Sequence, residues 1–251
     1  MMGLGGWELA LLFLAGIGGG LTGSIAGLAS VSTYPALLAV GLPPVTANVT
    51  NTVALVFNGV GSVWGSLPEL AGQRATVLRL VPLAAVGGVA GAVLLLSIPP
   101  SGFENVVPAL LAASAVIIAL PRRTRVEVAS SRTRVAWTGA AVLAICVYGG
   151  FFGAAAGVLL LALLLGSAAS LPRANAAKNV ILGVSNGVAA VVFAFFAPVH
   201  WLAMVPMALG CLLGSRLGPI VVRHAPATAL RILIALGALA LAIDLGLQTY
   251  R

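Results

Sequence analysis

An all-α integral membrane protein is the fold class this sequence predicts, from its composition, the lengths of its apolar segments and a glycine pattern that occurs twice. Hydrophobic residues make up 61% of the 251 positions and charged residues 7%, with a mean hydropathy of +1.14. No single water-soluble core of this length hides so much apolar surface. The net charge of +8 does not point to nucleic acid. Its basic residues fall at segment ends, without the aromatic interleaving or basic face that a nucleic-acid groove needs. Cys146 and Cys211 lie in apolar segments without metal-ligand spacing and read as small packing residues. The reading includes no cofactor and no metal.

Taken in order, Met1 to Ala15 carries no Lys or Arg, so it lacks the basic region of a cleaved signal peptide and reads as part of the mature fold. The apolar stretch 7–41 is too long for one plain helix and is interrupted by Gly18-Gly19-Gly20-Leu21-Thr22-Gly23. Its arms, 7–21 and 28–40, would be about 22 and 20 Å long, short of the ~30 Å hydrocarbon, so they predict a re-entrant hairpin. Crossings follow at 44–67, 76–98 and 103–120, then a basic linker. A second broken stretch, 136–167, is interrupted by Gly149-Gly150-Phe151-Phe152-Gly153 and precedes crossings at 172–197, 199–222 and 226–247. Each crossing is near the ~20 residues a membrane helix requires. Counting the hairpins as spans gives eight helical segments.

Self-comparison divides the chain. Glycines 20, 23 and 27 recur at 150, 153 and 157, Ala47-Asn48 at Ala174-Asn175, Asn58-Gly59 at Asn186-Gly187, and Pro82 at Pro206. Residues 1–120 and 136–251 therefore read as two membrane repeats joined by a basic linker, 121–135. If each hairpin enters and returns on one face, Arg74, Arg79, the linker arginines, Arg173, Arg216, Arg223 and Arg231 share a side. Only Arg251 then lies opposite. Short cytoplasmic loops collect such charge, so the linker is expected in the cytoplasm and both termini outside the cell (plasma or inner) membrane. Three crossings per repeat, an odd number, invert the second copy relative to the first.

The candidate site follows from charge placed in oil. Lys178 is the only charge after Arg173 in the stretch from Leu171 to Phe196. A cation in hydrocarbon costs several kcal/mol unless it faces a bundle interior or an ion pathway. Asn175, Lys178 and Asn179 share one helical face, as do Asn48, Asn51 and Thr52 in the first repeat. Amide and hydroxyl donors can replace part of an anion's hydration shell, and Lys178 supplies the opposing charge. Where a hairpin turns, the N-terminus of its returning half-helix offers free N–H groups and about half a positive charge. Thr22, Gly23 and Ser24 are expected at one such end, and Gly150, Gly153 and Ala154 at the other. Asn58 and Asn186 read as hydrogen bonds between helices.

The same pattern limits mechanism. Glu8, Glu69, Glu104 and Asp244 lie near segment ends and Glu127 in the linker, so no carboxylate is expected at midmembrane depth, where proton relays need one. A membrane negative inside supplies about 2.3 kcal/mol per 100 mV for each negative charge leaving, so export of an anion is the expected direction. Arg216 reads as a snorkelling residue. Trp7, Trp64, Trp137 and Trp201 read as an interfacial belt.

The chain resembles the sulfite exporter TauE/SafE family, also called toluenesulfonate uptake permeases, over about residues 7–247. The resemblance rests on Gly20-Leu-Thr-Gly-Ser-Ile-Ala-Gly27, Ala47-Asn-Val-Thr-Asn-Thr52, Pro82-Leu-Ala-Ala-Val-Gly-Gly-Val-Ala-Gly91, Ala177-Lys178-Asn179, and His200-Trp201 leading into Gly210-Cys-Leu-Leu-Gly-Ser-Arg-Leu217. It implies transport of sulfur-containing or related organic anions such as sulfite, sulfonates or sulfoacetate. Lys178 matches the lysine often found in the family's second half after a Thr-Ser pair, where this chain has Ala176-Ala177. Arg216 matches the family's Gly-x-Arg-Leu arginine.

Two other classes remain as alternatives. An intramembrane enzyme has little support, because no Ser/His, metal or paired-carboxylate constellation falls at membrane depth. A structural or accessory membrane subunit would use the polar residues only to hold helices together. The expected partners are a small anionic substrate and membrane lipid. Glycine-rich faces serve packing within one chain and in a homo-oligomer equally.

Overall fold

A computed structural model describes residues 4–103, 131–165 and 170–224, and its regular structure among these is helical, without strands. The helices are α1 (Gly6–Ala26), α2 (Ala29–Ala39), α3 (Pro44–Gly65), α4 (Leu67–Leu70), α5 (Arg74–Ser97), α6 (Ser131–Phe151), α7 (Ala156–Leu165), α8 (Leu171–Phe196) and α9 (Trp201–His224). Four of them, α1, α5, α8 and α9, are long and apolar enough to cross a membrane. The fold is that of an integral membrane protein. The expected crossing 226–247 and nearly all of 103–120 lie outside the described residues, and α6 begins inside the segment expected as linker.

The first break is not where the glycines placed it. α1 runs uninterrupted through Gly18–Gly23 for 21 residues and stops at Gly27, whose φ of 79° is left-handed. Its first arm is therefore about 31 Å long rather than about 22 Å. Packing is the reason. A Cβ on Gly16 or Gly20 would run into the carbonyls of Met207 or Cys211 on α9, and one on Gly210 or Gly214 into those of Phe13 or Ile17 on α1. Glycine spaced by four lets two membrane helices touch along their backbones. Gly27 differs because its left-handed conformation is strained for any residue with a Cβ.

Equivalent starts recur at a constant step: α2, α3 and α5 begin at 29, 44 and 74, and α7, α8 and α9 at 156, 171 and 201, each 127 later. By conformation, Gly27 matches Gly153, whose φ is 77°, rather than Gly157 as the sequence pattern suggested. α3 and α8 run antiparallel, since Gly59 packs on Gly183 while Ser66, just past α3, bonds Asn179 near the start of α8. The two breaks meet. Gly27 and Gly157 touch backbone to backbone, and Ala26, Leu28, Ala155 and Val158 form a small buried cluster around them.

The ends of the bundle carry the polar groups. Trp7, Trp64, Trp137 and Trp201 are all more than half exposed and sit near helix ends, as an aromatic belt requires. Gln73 donates to the Arg173 carbonyl at 3.0 Å, and Arg223 grips Glu69 at 2.6 and 3.0 Å. These contacts put Arg74, Arg173 and Arg223 at one end. Glu8 accepts the Gly5 N–H at 2.6 Å, closing the first turn of α1.

Candidate functional site

A polar cavity of about 30 Å³ lies where the breaks meet α3 and α8, with room for one or two waters. Its wall includes Ala29 and Ser30, which open α2, and Ala156 and Gly157, which open α7. Both half-helices thus direct their N-terminal ends, each carrying about half a positive charge, toward one space. α3 contributes Thr52, Asn58 and Ser62, and α8 contributes Lys178, Asn179 and Asn186. Among the described residues, no Asp or Glu is in the wall. Such an enclosure favours a negative solute.

Lys178 is 0% exposed. Its Nζ donates to the carbonyls of Gly23 at 2.9 Å and Ser24 at 3.2 Å. Asn175 donates to the same Ser24 carbonyl at 2.9 Å. These oxygens belong to the last turn of α1 and lie at the negative end of its dipole, and that of Gly23 also accepts the Gly27 N–H at 2.7 Å. A buried ammonium is tolerable here because opposite partial charge and hydrogen bonds surround it.

Thr22, Gly23 and Ser24 therefore stand at the C-terminal end of α1, not at the N-terminal end of the returning helix. Thr22 Oγ1 donates back to the Gly18 carbonyl at 2.9 Å and Ser24 Oγ to that of Leu21 at 3.0 Å. Of the three, Gly23 lines the cavity. The error follows from placing the break four residues early. On the other side, Gly153 lines the cavity, Ala154 accepts from the Tyr148 hydroxyl at 2.8 Å, and Gly150 packs against Gly88 of α5.

The two triads also divide. Thr52, Lys178 and Asn179 reach the wall; Asn48, Asn51 and Asn175 are struts beside it. Asn48 Nδ2 donates to the Phe151 carbonyl at 2.9 Å, at the end of α6. This is the contact Asn175 makes to Ser24, moved by 127 residues at both partners. Asn51 accepts from Thr33 at 2.6 Å and donates to Ser30 at 3.1 Å, holding α2 on α3. Asn58 and Asn186, expected as links between helices, line the cavity instead. Their signal was available, because each lies seven residues, two helical turns, beyond Asn51 or Asn179. Ser30 and Ser62 carried no such signal.

Arg216 lies outside the cavity wall, with Cζ 3.9 Å above the Trp64 ring. Ala176 and Ala177 are buried but absent from the wall.

A polytopic helical membrane protein with a cavity between two helix breaks has the build of a solute transporter. The chain belongs to the sulfite exporter TauE/SafE family, whose model matches residues 11–245. It is 31% identical over 242 residues to "Probable membrane transporter protein ORF9" of Sinorhizobium sp, covering 94% of this chain and 92% of that one. It is 27% identical over 212 residues to "Probable membrane transporter protein" of Haemophilus influenzae, covering 84% and 83%. No solved structure matches the chain.

Proposed function

We propose that this protein exports sulfur-containing or related organic anions, of the sulfite, sulfonate or sulfoacetate type, driven by the membrane potential. The path runs through the cavity between two inverted repeats, 1–120 and 136–251, joined by the cytoplasmic linker 121–135. Both termini face outside the cell membrane. One observation carries the reading: two half-helix N-termini and Lys178 border one space that no carboxylate lines among the described residues. The 127-residue step, the paired asparagine struts and the antiparallel course of α3 and α8 support the inverted repeat. The clustering of Arg74, Arg173 and Arg223 at one end supports the sidedness.

Asn58, Asn179 and Asn186 supply amides, Ser30, Ser62 and Thr52 hydroxyls, and Lys178 the charge that pairs with an oxyanion. A cavity sized for one or two waters is too small for a three-oxygen sulfur anion, so binding one requires its walls to separate. Loading requires the repeats to move apart, as in alternating access. Counterflow with purified protein in liposomes tests the reading against sulfite, thiosulfate, sulfonates and carboxylates. Sulfur anions are expected to exchange and carboxylates to lag. Equal exchange of both would remove the substrate class, and no exchange would remove transport.

A non-transporting membrane subunit is the second reading, favoured by the bonds that already engage Lys178 on α1. It predicts that Lys178→Met lowers thermal stability while no anion flux exists to be lost.

A further inference from the structure

Lys178 binds the Gly23 and Ser24 helix carbonyls through its Nζ while bordering the cavity. An oxyanion entering the cavity competes with those carbonyls for the ammonium, and a full negative charge outbids the partial charges of a helix end. We infer that Lys178 is a substrate-released latch, an inference that rests on the anion-transport reading. It ties α8 to the last turn of α1, and Asn179 bonded to Ser66 at 3.1 Å closes the same end of α3. An arriving anion draws the ammonium into the cavity, releases the α1 carbonyls and frees that end to open.

The counterpart position shows why the latch is one-sided. Asn51 lies 127 residues before Lys178, on the matching turn of α3, and its amide is held by Ser30 and Thr33 of α2. It carries no charge and reaches no carbonyl at the end of α6. The end of the cavity near Asn48 is instead closed by aromatic packing. Phe152, in the wall, meets Tyr34 edge to face at 5.5 Å and Phe103 at 6.0 Å. An anion therefore unlocks the Ser66 end through charge, while the Asn48 end opens against apolar contacts.

Cysteine labelling in lipid nanodiscs tests the latch. The reporter is Ser62→Cys, in the wall one turn before Ser66, in a protein whose buried cysteines are replaced (Cys146→Ala, Cys211→Ala). The reagent is a charged maleimide, with methanesulfonate and ethanesulfonate, which do not add to it, as separate ligands. With Lys178 present, an active ligand is expected to speed labelling about tenfold, the scale of a lost charge-assisted hydrogen bond. Lys178→Asn, which copies the counterpart, is expected to label fast without ligand and to ignore it. Lys178→Arg keeps the charge and is expected to regain part of the response, which a merely structural lysine would not require. Slow labelling of Lys178→Asn that anions still accelerate would overturn the latch. So would a Lys178 protein that exchanges sulfur anions in liposomes but labels at one rate with and without them. Failure of exchange itself would instead strike the transport reading.

Discussion

The break after α1 and the break after α6 share a turn and differ in what closes them. Gly27 and Gly153 hold nearly the same left-handed φ, 79° and 77°, and each preceding helix end receives one asparagine amide from the opposite half. The α1 end adds an ammonium; the α6 end adds a ring cluster of Phe151, Phe152, Phe103 and Tyr34. A repeated backbone thus supplies two similar half-sites, and side chains make one electrostatic and the other apolar. Under the proposed function an anion couples directly only to the first, because charge acts on charge and the ring cluster has none to offer.

The largest test of this contrast is Lys178→Met, expected to cut anion counterflow in liposomes about a hundredfold by removing two charge-assisted bonds and the only cation lining the cavity among the described residues. Gly27→Ala is expected to destabilise the protein by about 2–5 kcal/mol, since its Cβ meets both a left-handed backbone and the Gly157 backbone. Gly153→Ala, where the nearest atom is the Gly149 carbonyl at 2.9 Å, should cost only about 1–2 kcal/mol. Thermal unfolding in detergent compares the pair, and equal losses would mean the tips do not press on each other. Asn48→Ala and Asn175→Ala should each cost about 1–2 kcal/mol, with Asn175→Ala alone also reducing flux, because its strut shares the Ser24 carbonyl with Lys178. The smallest effect is expected for Arg216→Gln, which loses a stacking contact on Trp64 and leaves flux within about twofold.

The polar residues were legible in the sequence to different depths. Lys178 stood out because a charge in an apolar run has few tolerable surroundings. Thr52 and Asn179 followed from sharing a face with their neighbours. Asn58 and Asn186 were set aside because an amide beside glycine fits helix-to-helix bonding as well as a cavity wall. Glycine itself misled at Gly18–Gly23. The same residue permits a turn and permits close packing, and only the presence of α9 against Gly16 and Gly20 decides which. Gly27, the true break, looked like one more member of that run. Gly27 pairs with Gly157 by spacing and with Gly153 by conformation, a choice only the structure makes.

By itself the sequence determined the solvent, the helical class, the family and the need to shelter Lys178, because each depends on composition, periodicity or residue order along one chain. Tertiary structure alone decided where α1 ends, which amides are struts and which face the cavity, and that the lysine rests on helix carbonyls. Those outcomes depend on atoms more than a hundred residues away in the chain, such as Ser24 beside Asn175 and Phe151 beside Asn48, and no local pattern encodes such a meeting.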